Sequence, residues 1–447
     1  MTASIQPAGG LRTDRAPSWR AIAVGAGAVA LVALAVTLVS LNARPAGVGD
    51  ASPSSTLLAS ANPATVEPTP SAPVEPVASW EEAATFGDEG AIERAQSVTR
   101  TADGLIAVGT HYGVETMPHA GPVPQEGRVW HSADGRSWED VTPSDTFADA
   151  DLTHVWVTAD DALIVIGGIA EGGEGAAPMA WESTDGRSWS PTSLGLTGYW
   201  RVDRLAHGAR GYIALISVGP EIYTVGDRGL WLSADGRTWE LVRAGAPRTA
   251  EQFFDIGAGD DGFAATGTRG DAFEPFAIAS SDGRTWIEAT VPSGGIGMLA
   301  ERGGDWIAMG GAPRGPDGPP KEASVWSSAN GLEWAELGSI PLYPAATEPD
   351  GTVVCSDFIV DLLAAGPWLI SNAAAGYGLC SEGRIETYGT QSISRDGRAW
   401  EVLPFPSAND GGGGRGSQVN GAVVEGNVLI LIGHAGSRAM FWFNEAP

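Results

Sequence analysis

Residues 132–138 read Ser-Ala-Asp-Gly-Arg-Ser-Trp, and this motif decides the fold because it recurs along the chain. Five near-copies begin at Ser183, Ser233, Ser280, Ser328 and Ser394. The tryptophans that close the six copies are separated by 51, 50, 47, 48 and 66 residues. A period of about 50 residues matches one four-stranded blade of a β-propeller. The sequence therefore predicts one repeat-built body, although its length alone would suggest about three domains.

Each repeat carries the pattern of four strands. Seven short apolar runs recur, such as GLIAVGT from Gly104 and VLILIGH from Val428, and each predicts a buried strand. Another strand precedes each run, as in HVWVTA from His154, and a third strand leads into the motif. The fourth strand begins at the motif tryptophan, as in WELV from Trp239.

The two ends of the chain are predicted to close the ring. The motif occurs six times but the apolar run occurs seven times, so the last repeat lacks a fourth strand. The segment SWEEAATF from Ser79 has the pattern of a lone fourth strand. We therefore predict that Trp80 completes the seventh blade beside the C-terminal strand, which removes an exposed edge. The predicted fold class is an all-β, seven-bladed β-propeller over residues 80–447.

The residue types of the motif indicate a structural role. Asp-Gly suits a tight hairpin turn, because glycine adopts positive φ and aspartate accepts hydrogen bonds from turn amides. The tryptophan is predicted to pack between blades. In a ring the aspartates lie on different blades, so we expect them to shape turns rather than bind a metal. The motif residues are Asp134, Trp138, Asp185, Trp189, Asp235, Trp239, Asp282, Trp286, Asn330, Trp334, Asp396 and Trp400.

The repeats resemble the Asp-box, or BNR, repeats of sialidase-like β-propellers. The family pattern is Ser-x-Asp-x-Gly-x-Thr-Trp, at the hairpin between the third and fourth strands of a blade. The motif of this chain has the same place in the repeat and is one residue shorter. The resemblance covers Trp80 to Phe443 and implies the propeller fold. In that family the motif is structural and occurs in enzymes and non-enzymes alike, so it implies no particular activity.

The first 79 residues predict a membrane anchor and a linker. Residues 21–41 carry no charge and are long enough to span a bilayer as a helix. Three arginines precede this stretch and only Arg44 follows closely, so residues 1–20 are expected in the cytoplasm and the propeller outside the cell membrane. A cleaved signal peptide is the alternative. Residues 42–79 are rich in Pro, Ser and Ala and predict an unstructured linker.

Composition limits the partners and cofactors. The net charge of −28 argues against a nucleic-acid partner, which needs a basic face. Cys355 and Cys380 are the only cysteines, and an extracytoplasmic location favours a disulfide between them over free thiols. The six histidines have no metal-ligand spacing, and we expect neither a metal nor a cofactor. The use of a single lysine, Lys321, against 25 arginines suggests a bacterial genome rich in G and C.

No catalytic set is recognisable. A sialidase-like site would need three arginines that bind a carboxylate, a Tyr–Glu nucleophile pair, an aspartate acid and an Arg-Ile-Pro tripeptide, and no Arg-Ile-Pro occurs. Two separated carboxylates could hydrolyse a glycoside, but 54 acidic residues give no basis for choosing a pair. The main expectation is a non-catalytic module that binds an extracytoplasmic protein or glycan. The alternative is a sialidase-like cell-surface glycoside hydrolase.

Strand alternation predicts two distinct faces. The motif hairpins and the turns from first to second strand form the hairpin face. The loop face carries the other connections, including 111–127, 312–324, 337–356, 373–389 and 403–418. Because function concentrates on loops held by a rigid scaffold, binding is expected there. The candidate binding residues are Tyr112, Glu115, His119, Tyr199, Arg201, Arg248, Arg314, Asp317, Tyr343, Tyr377, Arg384 and Tyr388.

Overall fold

The computed structural model describes much of the chain after residue 79. The described residues are 80–87, 91–113, 125–170, 176–219, 227–245, 251–270, 273–293, 295–311, 322–342, 346–347, 353–354, 358–377, 386–403 and 417–445. They belong to one compact unit, Ser60–Pro447, and contain strands but no helix. Among them, no helix is long and apolar enough to cross a membrane. The predicted tail at 1–20, helix at 21–41 and linker at 42–79 lie outside the described residues.

The described strands form seven antiparallel sheets, each of which is one blade of a propeller. In chain order they are β1 (Glu81–Phe86), β2 (Ile92–Thr101), β3 (Gly104–Tyr112), β4 (Gln125–Ser132), β5 (Glu139–Asp140), β6 (Ala150–Val157), β7 (Leu163–Ala170), β8 (Ala176–Ser183), β9 (Ser190–Thr192), β10 (Tyr199–Gly208), β11 (Gly211–Gly219), β12 (Asp227–Ser233), β13 (Glu240–Ala244), β14 (Glu251–Ala258), β15 (Phe263–Arg269), β16 (Glu274–Ser280), β17 (Ile287–Glu288), β18 (Met298–Arg302), β19 (Asp305–Gly311), β20 (Glu322–Ser328), β21 (Ala335–Pro341), β22 (Ala346–Thr347), β23 (Val353–Val354), β24 (Phe358–Ala365), β25 (Trp368–Tyr377), β26 (Glu386–Ser394), β27 (Glu401–Val402), β28 (Ser417–Glu425), β29 (Val428–Ala435) and β30 (Arg438–Glu445).

Each blade is built from strands that are consecutive in the chain, apart from the blade that closes the ring. Blade 1 contains β2 to β5, blade 2 β6 to β9, blade 3 β10 to β13, blade 4 β14 to β17, blade 5 β18 to β21 and blade 6 β22 to β27. Blade 7 contains β28, β29, β30 and the N-terminal strand β1. The predicted all-β, seven-bladed fold is confirmed.

The N-terminal strand closes the ring as the sequence predicts. β1 pairs with β30 along its whole length, from Glu81 opposite Phe443 to Phe86 opposite Ala439. The Phe86 ring lies 5.8 Å from the ring of Trp130 in blade 1 and 5.6 Å from that of Phe441 in blade 7. The two ends of the chain therefore share one sheet, and that sheet packs on blade 1.

The core consists of seven hydrophobic clusters in the described residues, one at each interface between neighbouring blades. The second strand of each blade contributes to the clusters on both of its sides. In β11, for example, Ala214 and Ile216 pack toward blade 2, whereas Ile213 and Leu215 pack toward blade 4. Because both faces of the sheet are covered, these strands are continuous apolar runs rather than alternating ones.

The motif tryptophans occupy equivalent positions at the interfaces between blades. Each one packs into the cluster that its blade shares with the preceding blade. The ring centroid of Trp138 lies 4.5 Å from that of Phe441 in blade 7, and the ring centroid of Trp189 lies 5.9 Å from that of Phe147, in the connection between blades 1 and 2. Trp80 packs into the cluster between blades 6 and 7, which is the position expected for the missing seventh tryptophan.

The motif forms the hairpin between the third and fourth strands, as predicted. In blade 2, the Asp185 Oδ1 accepts hydrogen bonds from the amides of Arg187 (2.8 Å) and Ser188 (2.7 Å). Gly186 has a φ of 67°, and its carbonyl accepts a bond from the Trp189 indole at 3.3 Å. Blade 5 keeps this geometry with an amide, since Asn330 Oδ1 accepts from Leu332 and Glu333. In both blades the side chain at this position accepts bonds from the amides of the turn.

Acid should weaken these turns. The amides of Ser188 and Arg187 hold the pKa of Asp185 at about 2, below the ordinary value of about 3.9. A lowered pKa in the folded state gives stability that is complete above about pH 4 and is lost as the pH falls toward 2. We expect Asp185→Asn to lower the urea midpoint less at pH 3 than at pH 7. Asn330→Asp should raise the urea midpoint more at pH 7 than at pH 3, because the new carboxylate makes this turn sensitive to acid. Equal shifts at both pH values would contradict this account.

In blades 1 to 4, the arginine of the motif forms an ion pair with the preceding blade. Arg136 contacts Glu445 of blade 7 at 2.6 Å, and Arg284 contacts Glu240 of blade 3 at 2.8 Å. The arginines of blades 2 and 3 make equivalent pairs with the preceding blade. Blade 5 has Leu332 at this place, and there the amide of Thr290 in blade 4 bonds its carbonyl at 2.9 Å. These arginines therefore stabilise contacts between neighbouring blades at the hairpin face.

Two predicted connections are shorter than expected. The 373–389 connection is mostly strand, because β25 and β26 pair as far as Tyr377 opposite Glu386. The 337–356 connection contains the end of β21 and the short strands β22 and β23. These stretches contain small and polar residues, so their sequence lacks the apolar pattern that predicts a strand. Cys355 and Cys380 lie outside the described residues, and their predicted disulfide stays a prediction.

Candidate functional site: the central channel

The first strands of the blades surround the central channel, and most of them are bulged. Six of the seven shift register once against the second strand, and β18 pairs without a shift. A bulge re-aims the side chain that follows it. The residues directly after the shift, here called the channel ring, are Ser97, His154, Arg204, Asp255, Asp361 and Gly421.

In most blades a glycine of the second strand lies against the backbone of the first strand. Blade 5, whose β18 pairs without a shift, is included, since a Cβ on Gly310 would lie 2.0 Å from the carbonyl oxygen of Gly295. A Cβ on Gly109 would lie 1.8 Å from the carbonyl oxygen of Arg94, and one on Gly433 would lie 1.8 Å from that of Gln418. Gly167 and Gly267 meet the same obstacle in blades 2 and 4. Blades 3 and 6 instead carry Ile216 and Ala373 at this register. In these two blades the first strand therefore leaves room for the Cβ of Ile216 or Ala373. These first strands, β10 and β24, carry Arg204 and Asp361.

Arg204 contacts two other residues of the channel ring, Asp255 and Asp361. Its Nε lies 3.3 Å from Asp255 Oδ1, and its Nη2 lies 3.4 Å from Asp361 Oδ1. The three residues come from blades 3, 4 and 6, so one guanidinium connects blades on opposite sides of the channel. The Arg204 side chain is 36% exposed, whereas those of Asp255 and Asp361 are 4% and 17% exposed.

Both carboxylates also accept backbone hydrogen bonds. Asp255 Oδ1 accepts from the amide of Ile256 at 3.0 Å, and Oδ2 accepts from the amide of Leu299 in blade 5 at 2.8 Å. Asp361 Oδ1 accepts from the amide of Leu362 at 3.0 Å. Asp255 therefore uses both oxygens within the scaffold.

Burial and charge shift the pKa values of this cluster. Burial raises the pKa of Asp255 to about 7, with Arg204 opposing the shift and Asp361 adding to it. Burial also raises the pKa of Asp361. Burial disfavours the charge of Arg204, but the carboxylates of Asp361, Asp255 and Asp203 outweigh it and raise the pKa. Burial, followed by the charge of Arg204, lowers the pKa of His154 to about 4, so this ring is neutral at pH 7.

A second ionic group extends from the channel ring toward the loop face. Asp203, in the bulge next to Arg204, contacts Arg201 at 2.7 Å and Arg228 at 3.2 Å, and accepts a bond from Ser217 at 2.5 Å. Arg228 also donates to the carbonyl of Phe253 in blade 4 at 3.1 Å. The charges of blade 3 therefore connect the loop face to the channel.

The structure places five of the sequence-predicted binding residues in strands: Tyr112, Tyr199, Arg201, Tyr377 and Tyr388. Tyr199 and Arg201 lie at the start of β10, at the loop face, with Tyr199 38% exposed. Tyr377 and Tyr388 belong to β25 and β26 rather than to a loop. These positions differ from the predicted loops because the hairpins extend farther toward the loop face than the sequence pattern indicates. The remaining predicted residues lie outside the described residues: Glu115, His119, Arg248, Arg314, Asp317, Tyr343 and Arg384.

Tyr112 ends β3 and belongs to a separate polar group at the loop face of blade 1. The Arg94 guanidinium lies 5.9 Å from its ring centroid. Burial, followed by the nearby Asp151 carboxylate, raises the pKa of Tyr112 to about 12. Asp151 itself accepts a bond from Thr110 at 2.6 Å. The described residues therefore place Tyr112 with blades 1 and 2 and Arg201 with blade 3, as two separate groups.

Sequence reasoning missed the channel ring, although a signal was present. His154, Arg204 and Asp255 are 50 and 51 residues apart, which is the period of the motif. Polar residues at one repeat position inside an apolar strand indicate a common, inward-facing place. Within the described residues, no group of three His, Cys, Asp or Glu side chains is arranged to hold a metal ion.

Comparison with known proteins gives only distant structural likenesses. No family model matches the sequence, and no curated protein matches it. An α-L-arabinanase from Penicillium chrysogenum is 11% identical, with 82% of this chain and 96% of that chain covered and a TM-score of 0.36. A xyloglucanase from Xanthomonas campestris is 15% identical, with 82% and 53% covered and a TM-score of 0.44. The β-propeller domain of the Trilobed protease from Pyrococcus furiosus is 8% identical, with 78% and 93% covered and a TM-score of 0.45.

Proposed function

We propose that this chain is a membrane-anchored, extracytoplasmic propeller that binds a protein or a glycan through its loop face without catalysing a reaction. The repeats of the sialidase-like kind, the uncharged stretch at 21–41 and the linker at 42–79 support this location and architecture. The proposal assigns the described blades to a rigid scaffold. It assigns binding to the face where the connections between blades emerge.

One observation carries the non-catalytic part of the proposal. Asp255 is 4% exposed, and its two oxygens are occupied by the amides of Ile256 and Leu299 and by Arg204. A general acid or nucleophile needs at least one oxygen within reach of the substrate. The central carboxylate is instead bonded within its own blade and to blades 3 and 5, which favours a structural role.

Crosslinking through the single lysine tests the binding face. Lys321 directly precedes β20, in the connection from the second to the third strand of blade 5. An amine-reactive crosslinker can therefore join the propeller to a protein partner at one side-chain position only. We expect full-length chain in its native envelope to form a discrete adduct through Lys321, and Lys321→Arg to form none.

A lysine on the opposite face is the matched control. Arg284 lies in a motif hairpin, and its side chain is 56% exposed. The variant Lys321→Arg with Arg284→Lys moves the only lysine to the hairpin face without changing the net charge. An adduct from the hairpin face but not from Lys321 would contradict the proposal. A glycan ligand without an amine is tested by retention of the full chain on immobilised envelope polysaccharide.

A glycoside hydrolase is the second candidate, and the channel ring favours it. The Arg204 guanidinium bridges the carboxylates of Asp255 and Asp361, through contacts of 3.3 and 3.4 Å. Carboxylate pairs of glycosidases are about 5–9.5 Å apart, and a raised pKa suits the acid of the pair. Hydrolysis of a glycoside that depends on both carboxylates would establish this function instead.

A further inference from the structure

We propose that Arg204, Asp255 and Asp361 form a proton-sensitive clamp that fastens blades 3, 4 and 6 across the central channel. Blades 3 and 6 are not neighbours in the ring, so they share no blade interface. Arg204 joins them directly, with Nη2 at 3.4 Å from Asp361 Oδ1. A contact of this kind is additional to the seven hydrophobic interfaces that hold the ring together.

The clamp is continuous with the bonds between neighbouring blades. Asp255 fixes blade 4 to blade 5 through the amide of Leu299, and Arg228 fixes blade 3 to blade 4 through the carbonyl of Phe253. Each of these polar groups has a partner in another blade. Movement of Arg204 would therefore disturb three interfaces at once.

The charged and titratable groups of the clamp and its surroundings come from several first strands around the channel. β10 contributes Arg204 and Asp203, β24 contributes Asp361, and β6 contributes His154. β18 contributes the amide of Leu299. At the corresponding places, β2 and β28 carry the uncharged residues Ser97 and Gly421.

The charge of the clamp depends on one proton. With all three groups ionised, the guanidinium faces two carboxylates and the cluster has a net charge of −1. A proton on Asp255 leaves the single pair of Arg204 with Asp361 and no net charge. Burial disfavours the additional charge, and Asp255 has a pKa of about 7.

The sign of the pH dependence follows from this shift. The folded pKa of Asp255 lies above its ordinary value of about 3.9, so its contribution to stability is complete below pH 4 and is lost as the pH rises through 7. His154 acts in the opposite direction. Its folded pKa of about 4 lies below the ordinary value near 6.5, so its contribution is complete above pH 6.5 and is lost as the pH falls toward 4.

A pH comparison of Asp255→Asn with the wild type tests the proton. The amide resembles the protonated acid and does not titrate. We expect the folding equilibrium constant of the variant, divided by that of the wild type, to rise between pH 5 and pH 8 by up to roughly a hundredfold. A constant ratio at both pH values would overturn the proton-sensitive part. The carbon chemical shift of the Asp255 carboxyl should titrate near pH 7 in the wild type, and titration near pH 4 would overturn it as well.

A double-mutant cycle tests the clamp across the channel. Arg204→Met and Asp361→Asn should each lower the urea midpoint, and the double variant should lose clearly less than both losses combined. Arg228→Met is the matched control, because Arg228 lies in blade 3 but contacts Asp203 and Phe253 rather than Asp361. Its loss should add to that of Asp361→Asn. Additive losses for Arg204 and Asp361 would overturn the clamp.

Discussion

Deletion of Glu81–Phe86 is expected to abolish the folded propeller. β1 is the fourth strand of blade 7, and its removal leaves the edge of β30 unpaired. Phe441 and Trp130 also lose the Phe86 ring that covers them. Since no other strand of the described residues is free to pair with β30, we expect loss of the cooperative thermal transition and aggregation during gel filtration.

Two controls separate closure from general damage at the N-terminus. Phe86→Ala keeps the strand and removes one partly buried ring, so it should cost no more than about 3 kcal/mol of unfolding free energy. Deletion of residues 42–79, which precede β1, should leave the melting temperature of the propeller unchanged. A cooperative transition at the wild-type temperature after deletion of β1 would contradict the closure.

Gly109→Ala is expected to destabilise the protein by at least about 3 kcal/mol. The new Cβ would lie 1.8 Å from the carbonyl oxygen of Arg94 and 3.0 Å from the Cα of Ala95. These are backbone atoms of β2, so relief requires the bulged strand to move, and overpacking against side chains alone costs about 1–3 kcal/mol. The urea midpoint, measured at a constant m-value, reports the loss.

Blade 6 supplies the matched control for this glycine. Ala373 occupies the same register, opposite Ile359 just before the bulge of β24. Ala373→Gly removes a Cβ and adds backbone freedom to the unfolded chain, so it should cost about 1 kcal/mol. If Gly109→Ala were as mild as Ala373→Gly, the close approach of β2 would not be the reason for the glycine.

Repetition made the fold predictable. The Trp138 position recurs with a period near 50 residues, and each copy carries the same turn chemistry and the same apolar run. The count of motifs against runs also located Trp80 in blade 7. Local patterns suffice here because a propeller repeats one packing arrangement, in which a tryptophan fills the interface with the preceding blade.

The channel could not be predicted in the same way. Arg204, Asp255 and Asp361 lie in three different repeats, and their meeting depends on the inward direction of each first strand. A bulge changes that direction, and no residue type in β10 or β14 marks it clearly. The glycine opposite the bulge is the nearest sequence signal, but it is absent from blades 3 and 6, where the cross-channel pair originates.

Hydrolysis by the full chain tests most directly whether the central carboxylates serve the scaffold rather than chemistry. The measurement is release of fluorophore from a panel of aryl glycosides at pH 5 and pH 7, with the variant carrying both Asp255→Asn and Asp361→Asn in parallel. The account predicts the same background release for both proteins. Release by the wild type that disappears in a folded double variant would contradict it and identify the channel as an active site.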